Sequence, residues 1–337
     1  MTAQQIVADP SALAYAELQP EDILGALEDL GFPCDGRFLA LNSYENRVYQ
    51  IGIEDAEPVI AKFYRPGRWT DEAILEEHRF TIELAEQDLP VVAPMVLHGT
   101  TLHHCGSFRI SVSPRRGGRA PDLDNEALQL QLGRLLGRMH LQGEVSDFEH
   151  RPAVDIQSYG IDSCNYLLDA DFLPAELQAN YAGITEHVFD NIDACFERAG
   201  NPGIIRLHAD FHPGNVLVTE DQLHIVDFDD ARSGPAVQDL WMFLSGDRAE
   251  QTPQLATLLS GYEEFRPFDA RELHLVEALR TLRILHYAAW LARRWQDPAF
   301  KIAFPWFDTP KYWDEHILSL REQVALMQEP PLEWIAD

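Results

Sequence analysis

The chain has 337 residues, 46% of them apolar, and its 26 basic against 55 acidic side chains give a net charge of −29. That length gives a prior of about two domains, and so acidic a surface repels nucleic acid and anionic membranes. No apolar run approaches the roughly 18 residues that span a bilayer, and the first residues carry neither the basic nor the apolar region of a signal peptide, so the expected compartment is the cytoplasm.

Four scattered cysteines, Cys34, Cys105, Cys164 and Cys195, form no C-x-x-C pair, which argues against a disulfide framework or a zinc cluster. In chain order, residues 20–31 predict a helix, with an acidic first turn, apolar Ile23, Leu24, Leu27 and Leu30, and Gly31 as its stop. Arg47–Ile51 alternates as a strand does, and Pro58–Tyr64 is a β-rich run. A helix over 71–88 follows, capped by Thr70 or Asp71. Further strands are expected around 91–98 and 107–113, with His103-His104-Cys105 at a hairpin tip between Gly99 and Gly106. Pro114-Arg115-Arg116-Gly117-Gly118 breaks the pattern and divides the chain into 1–114 and 115–337. The second part is mainly helical, over 128–142, 175–199 and 271–296. One strand-rich interruption at 204–231 holds the informative motif.

That stretch reads IIRLHADFHPGNVLVTEDQLHIVDFDDA. Two short apolar strands, Val216–Val218 and Leu223–Val226, flank a turn. His208-x-Asp210-x-x-x-x-Asn215 stands before the first and Asp227-Phe228-Asp229 after the second. Phosphoryl transfer needs positioning and charge neutralisation more than covalent help. Asp210 can orient an attacking hydroxyl and accept its proton. Asp227 can hold Mg²⁺ between phosphates, and Asn215 can complete the metal shell with a neutral hard oxygen. Neither His208 nor His212 is needed for proton transfer if Asp210 is the base.

H-x-D-x-x-x-x-N followed twelve residues later by D-F-D resembles the catalytic and metal-binding loops of the protein-kinase-like superfamily. It is most similar to the aminoglycoside phosphotransferase and choline kinase branch, where H-x-D-x-H-x-x-N is typical. The resemblance implies a two-lobed α+β fold with a small β-rich N-lobe and a larger, mainly helical C-lobe, and ATP as co-substrate. The family's strand lysine falls on Lys62, in Val59-Ile60-Ala61-Lys62, and should contact the α- and β-phosphates. Its helix glutamate falls on Glu76 or Glu77. Glu77 is preferred, because Glu77-His78-Arg79-Phe80 resembles the branch's E-x-R-x-L stretch, and Glu76 would then be a solvated neighbour.

No G-x-G-x-x-G exists, so the expected nucleotide loop is Leu41–Tyr49, with Ser43 and Asn46 covering phosphates. The hinge is expected near Ile110–Pro114, and Asp239 resembles the aspartate that braces the catalytic loop. LNSYENRVYQI, VIAKFYRPGRWT, EEHRF, LHADFHPGNVL and IVDFDDA resemble the bacterial stress response kinase A family. That resemblance implies a cytoplasmic, monomeric serine/threonine protein kinase that also phosphorylates itself. However, only eleven residues separate Asp227 from Asp239, no A-P-E follows, and Ala209 stands where H-R-D has arginine. These departures fit a small-molecule kinase equally well, and a nucleotide-binding regulator is the third reading. The aromatic segments Phe304–Phe307 and Pro330–Trp334 are expected to pack on the C-lobe.

Overall fold

A computed structural model describes residues 15, 17–170, 172–200, 202–220 and 222–334. Helix α1 (Pro20–Asp29) is followed by β1 (Cys34–Ala40), β2 (Arg47–Ile53), β3 (Ala56–Tyr64), α2 (Asp71–Glu86), β4 (His103–Cys105) and β5 (Phe108–Pro114). The strands form one antiparallel sheet in the order β1-β2-β3-β5-β4. This is the N-lobe. The two-residue period of β3 sends Val59, Ala61 and Phe63 into the lobe's core and leaves Ile60, Lys62 and Tyr64 lining a cleft. Lys62 sits on the central strand, in register with Val48 of β2 and Ser111 of β5.

Three expectations change here. Residues 91–98 form no strand; they make the bridges Val91–Ile225 and Leu97–Thr100 and a backbone bond from Met95 N–H to the Val112 carbonyl at 2.7 Å. Pro90 and Pro94 deprive this stretch of ladder donors, and His98 takes a positive φ of 51°. His103–Cys105 is itself a strand, so the hairpin tip moves to Gly106 and Ser107. Ile110–Ser113 lies inside β5, paired with β3, and the chain instead crosses at 115–119, where Arg119 exchanges backbone bonds of 3.0 and 2.8 Å with Val218.

The C-lobe holds α3 (Glu126–Gly143), α4 (Asp162–Asp169), α5 (Ala175–Ala199), α6 (Arg248–Tyr262), α7 (Val276–Arg294), α8 (Pro298–Ala303) and α9 (Pro310–Gln328). Two small antiparallel ribbons lie among them. β6 (Ile205–Leu207) pairs with β9 (Arg232–Gly234), and β7 (Val216–Val218) with β8 (Leu223–Ile225). A large apolar core surrounds the ribbons, with Leu207, Phe211, Val216, Ile225 and Phe228 all at 2% exposure or less. Of the aromatic segments, Phe307 and Leu332 are buried and Trp334 meets Phe268 edge-on, while Trp306 stays 42% exposed.

Helices α3 and α6 touch backbone to backbone. A Cβ added at Gly133 would stand 2.0 Å from the carbonyl oxygen of Leu258, and one at Gly137 2.4 Å from that of Tyr262. Gly133→Ala therefore has to push the helices apart. We expect it to cost about 1–3 kcal/mol, read as a lowered urea midpoint with an unchanged m-value.

Candidate active site

The β7–β8 hairpin carries the candidate residues Asp210, Asn215 and Asp227 on its flanks. Its outer edges are tied to the N-lobe side by backbone bonds, Val92 N–H to Ile225 O at 2.9 Å and Ile225 N–H to Pro90 O at 2.8 Å. Before the hairpin, Ala209 adopts φ 65°, and after it Asp227 adopts φ 63°. Such left-handed residues cost of order 1–3 kcal/mol and persist only where their surroundings fix them.

The fixing group at Ala209 is Asp239, which is fully buried. It accepts from the backbone N–H groups of His208 at 2.9 Å and Ala209 at 2.8 Å, and stands 3.2 Å from Nε2 of His140. Gln238 donates to the Ala209 carbonyl at 2.8 Å, and His208 Nε2 reaches the Val226 carbonyl at 3.0 Å. Asp239 thus holds the loop as a brace, and the imidazole of His208 joins the two motif segments without facing a reacting atom.

Asn215 donates its amide to the Asp210 carbonyl at 2.9 Å, which leaves its side-chain oxygen as the atom for a cation. The Asp210 carboxylate meets Arg283 of α7 on one oxygen and Nε2 of His212 at 3.5 Å on the other. Burial pushes its pKa up, but His212 and Arg283 outweigh burial and hold it below the ordinary aspartate range. Asp210 is therefore ionised at neutral pH, as a proton acceptor must be.

Across the cleft, Lys62 Nζ stands 3.2 Å from Asp227 and 3.1 Å from Asp229. Burial works against its charge, yet Asp229, Asp227 and Glu77 lift its pKa well above the usual lysine value. Glu77 faces this charge cluster without a short bond to it. Its carboxylate lies 3.9 Å from Arg151, and burial raises its pKa to about 7 against the pull of Lys62. Glu76 is no solvated neighbour. It is 6% exposed and accepts the backbone N–H groups of Glu149, His150 and Arg151 at 2.6–2.9 Å.

Ser43, Lys62, Glu77, Asn215 and Asp227 line one cavity of about 370 Å³. Val48 and Ile60 on the sheet side, with Leu217 and Val226 on the hairpin side, give it an apolar slot, and Ser113, Pro114 and Arg116 close one end. Asn46 is not brought into it. That side chain is 3% exposed and accepts the Arg65 backbone N–H at 3.1 Å, so it fixes the loop instead. Among the described residues, no three His, Cys, Asp or Glu side chains stand close enough to hold a metal alone. The donor set of Asp227, with its side chain 54% exposed, plus the Asn215 oxygen fits a hard cation that takes its remaining ligands from phosphates and water.

Residue pattern alone did not point to the partners of these groups. Arg68 binds Asp229 and, at 2.5 Å, Asp230. Arg151 caps the carbonyls of Asp229 and Ala231. Glu45, two residues from Ser43, takes Trp290 at 2.5 Å and Arg294 at 3.0 Å. Arg68 stands inside the VIAKFYRPGRWT stretch, but Arg283 and Arg294 sit on a helix that carries no local signature.

The sequence profile described as the phosphotransferase enzyme family matches residues 37–276. The chain belongs to that family. Stress response kinase A of Escherichia coli K12 is 43% identical over 323 residues, covering 96% of this chain and 98% of the relative. A Salmonella typhimurium protein named serine/threonine protein kinase RdoA is 40% identical over the same shares. The chain is thus a phosphotransferase of the stress response kinase A group. In fold it is similar to amicoumacin kinase hAmiN, solved with AMP-PNP, Ca²⁺ and Ami, at TM-score 0.70 and 18% identity over 93% of this chain and 95% of that one. A microcompartment-associated aminopropanol kinase gives 0.68 and 18% over 91% and 96%. No helix among the described residues is long and apolar enough to cross a membrane.

Two predictions test the brace. Asp239→Ala leaves two buried backbone N–H groups without an acceptor and should cost about 1–3 kcal/mol for each, read by chemical denaturation. Below the brace, Glu272 accepts the Val237 N–H at 2.8 Å, and burial raises its pKa to about 7. Because the folded value lies above the unfolded one, its contribution to stability is full below about pH 4.5 and lost as pH rises through 7. Relative to Glu272→Gln, the wild type should therefore lose stability across that window.

Proposed function

We propose that the chain is an ATP- and Mg²⁺-dependent serine/threonine protein kinase that labels protein hydroxyls and itself, acting as a cytoplasmic monomer. The observation that carries the kinase chemistry is the convergence of Lys62, Asn215 and Asp227 on one cavity with ionised Asp210 beside it. The adenine ring suits the slot between Val48, Ile60, Leu217 and Val226, and Ser43 and Lys62 suit the phosphates. Asp227 and Asn215 would hold the Mg²⁺, which when bound neutralises phosphate charge. Asp210 orients the acceptor hydroxyl and takes its proton as the new O–P bond forms and the β–γ bridging P–O bond breaks. ADP and the phosphorylated acceptor leave.

The protein acceptor is supported by the name of the Salmonella relative at 40% identity over nearly the whole chain. A second reading, a small-molecule kinase, is favoured by a specific feature. The segment from Asp227 to Asp239 is folded into short turns and the three-residue β9, leaving little chain for a peptide platform. The solved neighbours described above are also named as kinases of small molecules, amicoumacin and aminopropanol.

Incubation with labelled ATP and Mg²⁺, with and without casein and myelin basic protein, separates these readings. Label on serine or threonine of the chain or an acceptor supports a protein kinase. ATP turnover only with added amino or sugar alcohols supports the second reading. Asp210→Ala should lower transfer at least 10³-fold while leaving ATP affinity within a few-fold. Asp227→Ala should also lose metal-dependent nucleotide binding. Turnover of Asp210→Ala near that of wild type would refute the assignment of the base.

A further inference from the structure

The acceptor side of the site has an unexpected charge. The base carboxylate of Asp210 is paired with the guanidinium of Arg283, which rises from α7 and keeps 38% of its side chain exposed. The carboxylate that repels Asp210, Asp230, is neutralised by Arg68 at 2.5 Å, with Arg232 adding to the positive field. Glu45 is taken by Arg65, Arg294 and Trp290. An acceptor carrying an ammonium group would find these carboxylates already bound to arginine, and would meet Arg283 beside the hydroxyl site. Next to Arg283, one turn along α7, Tyr287 is 39% exposed and stacks on Trp290 with ring centroids 5.6 Å apart. On a chain of net charge −29, a half-exposed arginine at the catalytic carboxylate is an exception that sequence-wide charge does not explain.

We infer that Arg283 is an acceptor-selecting residue that recognises an anionic group beside the accepting hydroxyl, so that the favoured acceptors are hydroxyls flanked by carboxylate or phosphate. Without acceptor, Arg283 rests on Asp210. An acceptor hydroxyl donates to the carboxylate, which keeps His212 at 3.5 Å on its other oxygen, and the acceptor's anion takes the guanidinium, so neither group is left without a partner during the exchange. Two hydrogen-bond lengths separate the guanidinium from the hydroxyl position, roughly 5–6 Å, so the anion belongs on the same or an adjacent residue of a peptide. The inference deepens the kinase reading and rests on it.

The test measures initial rates for two serine peptides that differ only in flanking residues, aspartate or lysine, and for two small alcohols, glycerate and ethanolamine. The enzymes are wild type, Arg283→Ala, Arg283→Lys and Arg283→Glu. Wild type should favour the aspartate peptide over the lysine peptide at least tenfold in kcat/KM. Arg283→Ala should erase that preference mainly through KM, Arg283→Lys should retain part of it, and Arg283→Glu should invert it. A wild-type preference for the lysine peptide or ethanolamine overturns the inference. So does an equal loss on every acceptor in Arg283→Ala, because the arginine would then only position Asp210. Labelling of glycerate but neither peptide, in an Arg283-dependent way, refutes the protein acceptor and sustains the inference. Self-labelling of the chain at the same rate in wild type and Arg283→Ala, with label on none of the four acceptors, keeps the kinase reading and overturns the inference, whereas no label on the chain or any acceptor refutes both.

Discussion

An ionic cluster across the cleft, with Lys62, Arg68 and Asp229 largely buried at its centre, is the constraint on which the rest of the structure depends. Lys62 and Arg68 come from the N-lobe, and Asp227, Asp229 and Asp230 from the C-lobe. Neither set could be buried alone, since an uncompensated charge in a low-dielectric interior costs several kcal/mol. The two lobes therefore meet in one register, with the end of β3 over the turn that follows β8. That meeting sets the 3.2 Å spacing of the Lys62 ammonium and the Asp227 carboxylate. Further contacts repeat the same device farther out. Glu45 reaches Arg294 and Trp290 on α7, and Asp297 reaches Arg47 and Arg65 at 3.3 and 3.2 Å. The loop over the phosphate end, which lacks a glycine pattern, is thereby anchored to the C-lobe through side chains.

Local strain is the second theme. Ala209 and Asp227 both hold left-handed backbone; a buried carboxylate braces the first, and buried His208 holds the Val226 carbonyl next to the second. Asp239 supplies acceptors under Ala209. Glu76 gathers three backbone donors at 149–151, and this places Arg151 where it caps the carbonyls of Asp229 and Ala231. Two adjacent glutamates on α2 thus divide the work, Glu76 binding backbone and Glu77 facing the charge cluster. Preorganisation of this kind matters for phosphoryl transfer because the protein contributes mainly placement and charge.

The nucleotide side and the acceptor side of the cleft are built differently. Short stretches of β2, β3 and the β7–β8 hairpin make the former, each with its own local pattern. The latter depends on α7 and α8, where Arg283, Trp290 and Phe300 face residues some 70 to 250 positions earlier in the chain.

Much was legible in the sequence. The strands expected at Arg47–Ile51 and Pro58–Tyr64 and the helices expected at 71–88, 128–142 and 175–199 follow from periodicity, a short-range property of the chain, and Asp210, Asn215 and Asp227 from motif spacing, with Lys62 added by the family resemblance. Tertiary structure decided the rest. It turned Asn46 inward to Arg65, buried Glu76 against a distant backbone and left 91–98 as a bridged connector. It also gave Lys62 to Asp227 and Asp229, and set Arg283 on Asp210. Each of these depends on which charge or backbone group lies across the fold, and electrostatic partners at long sequence separation leave no local pattern.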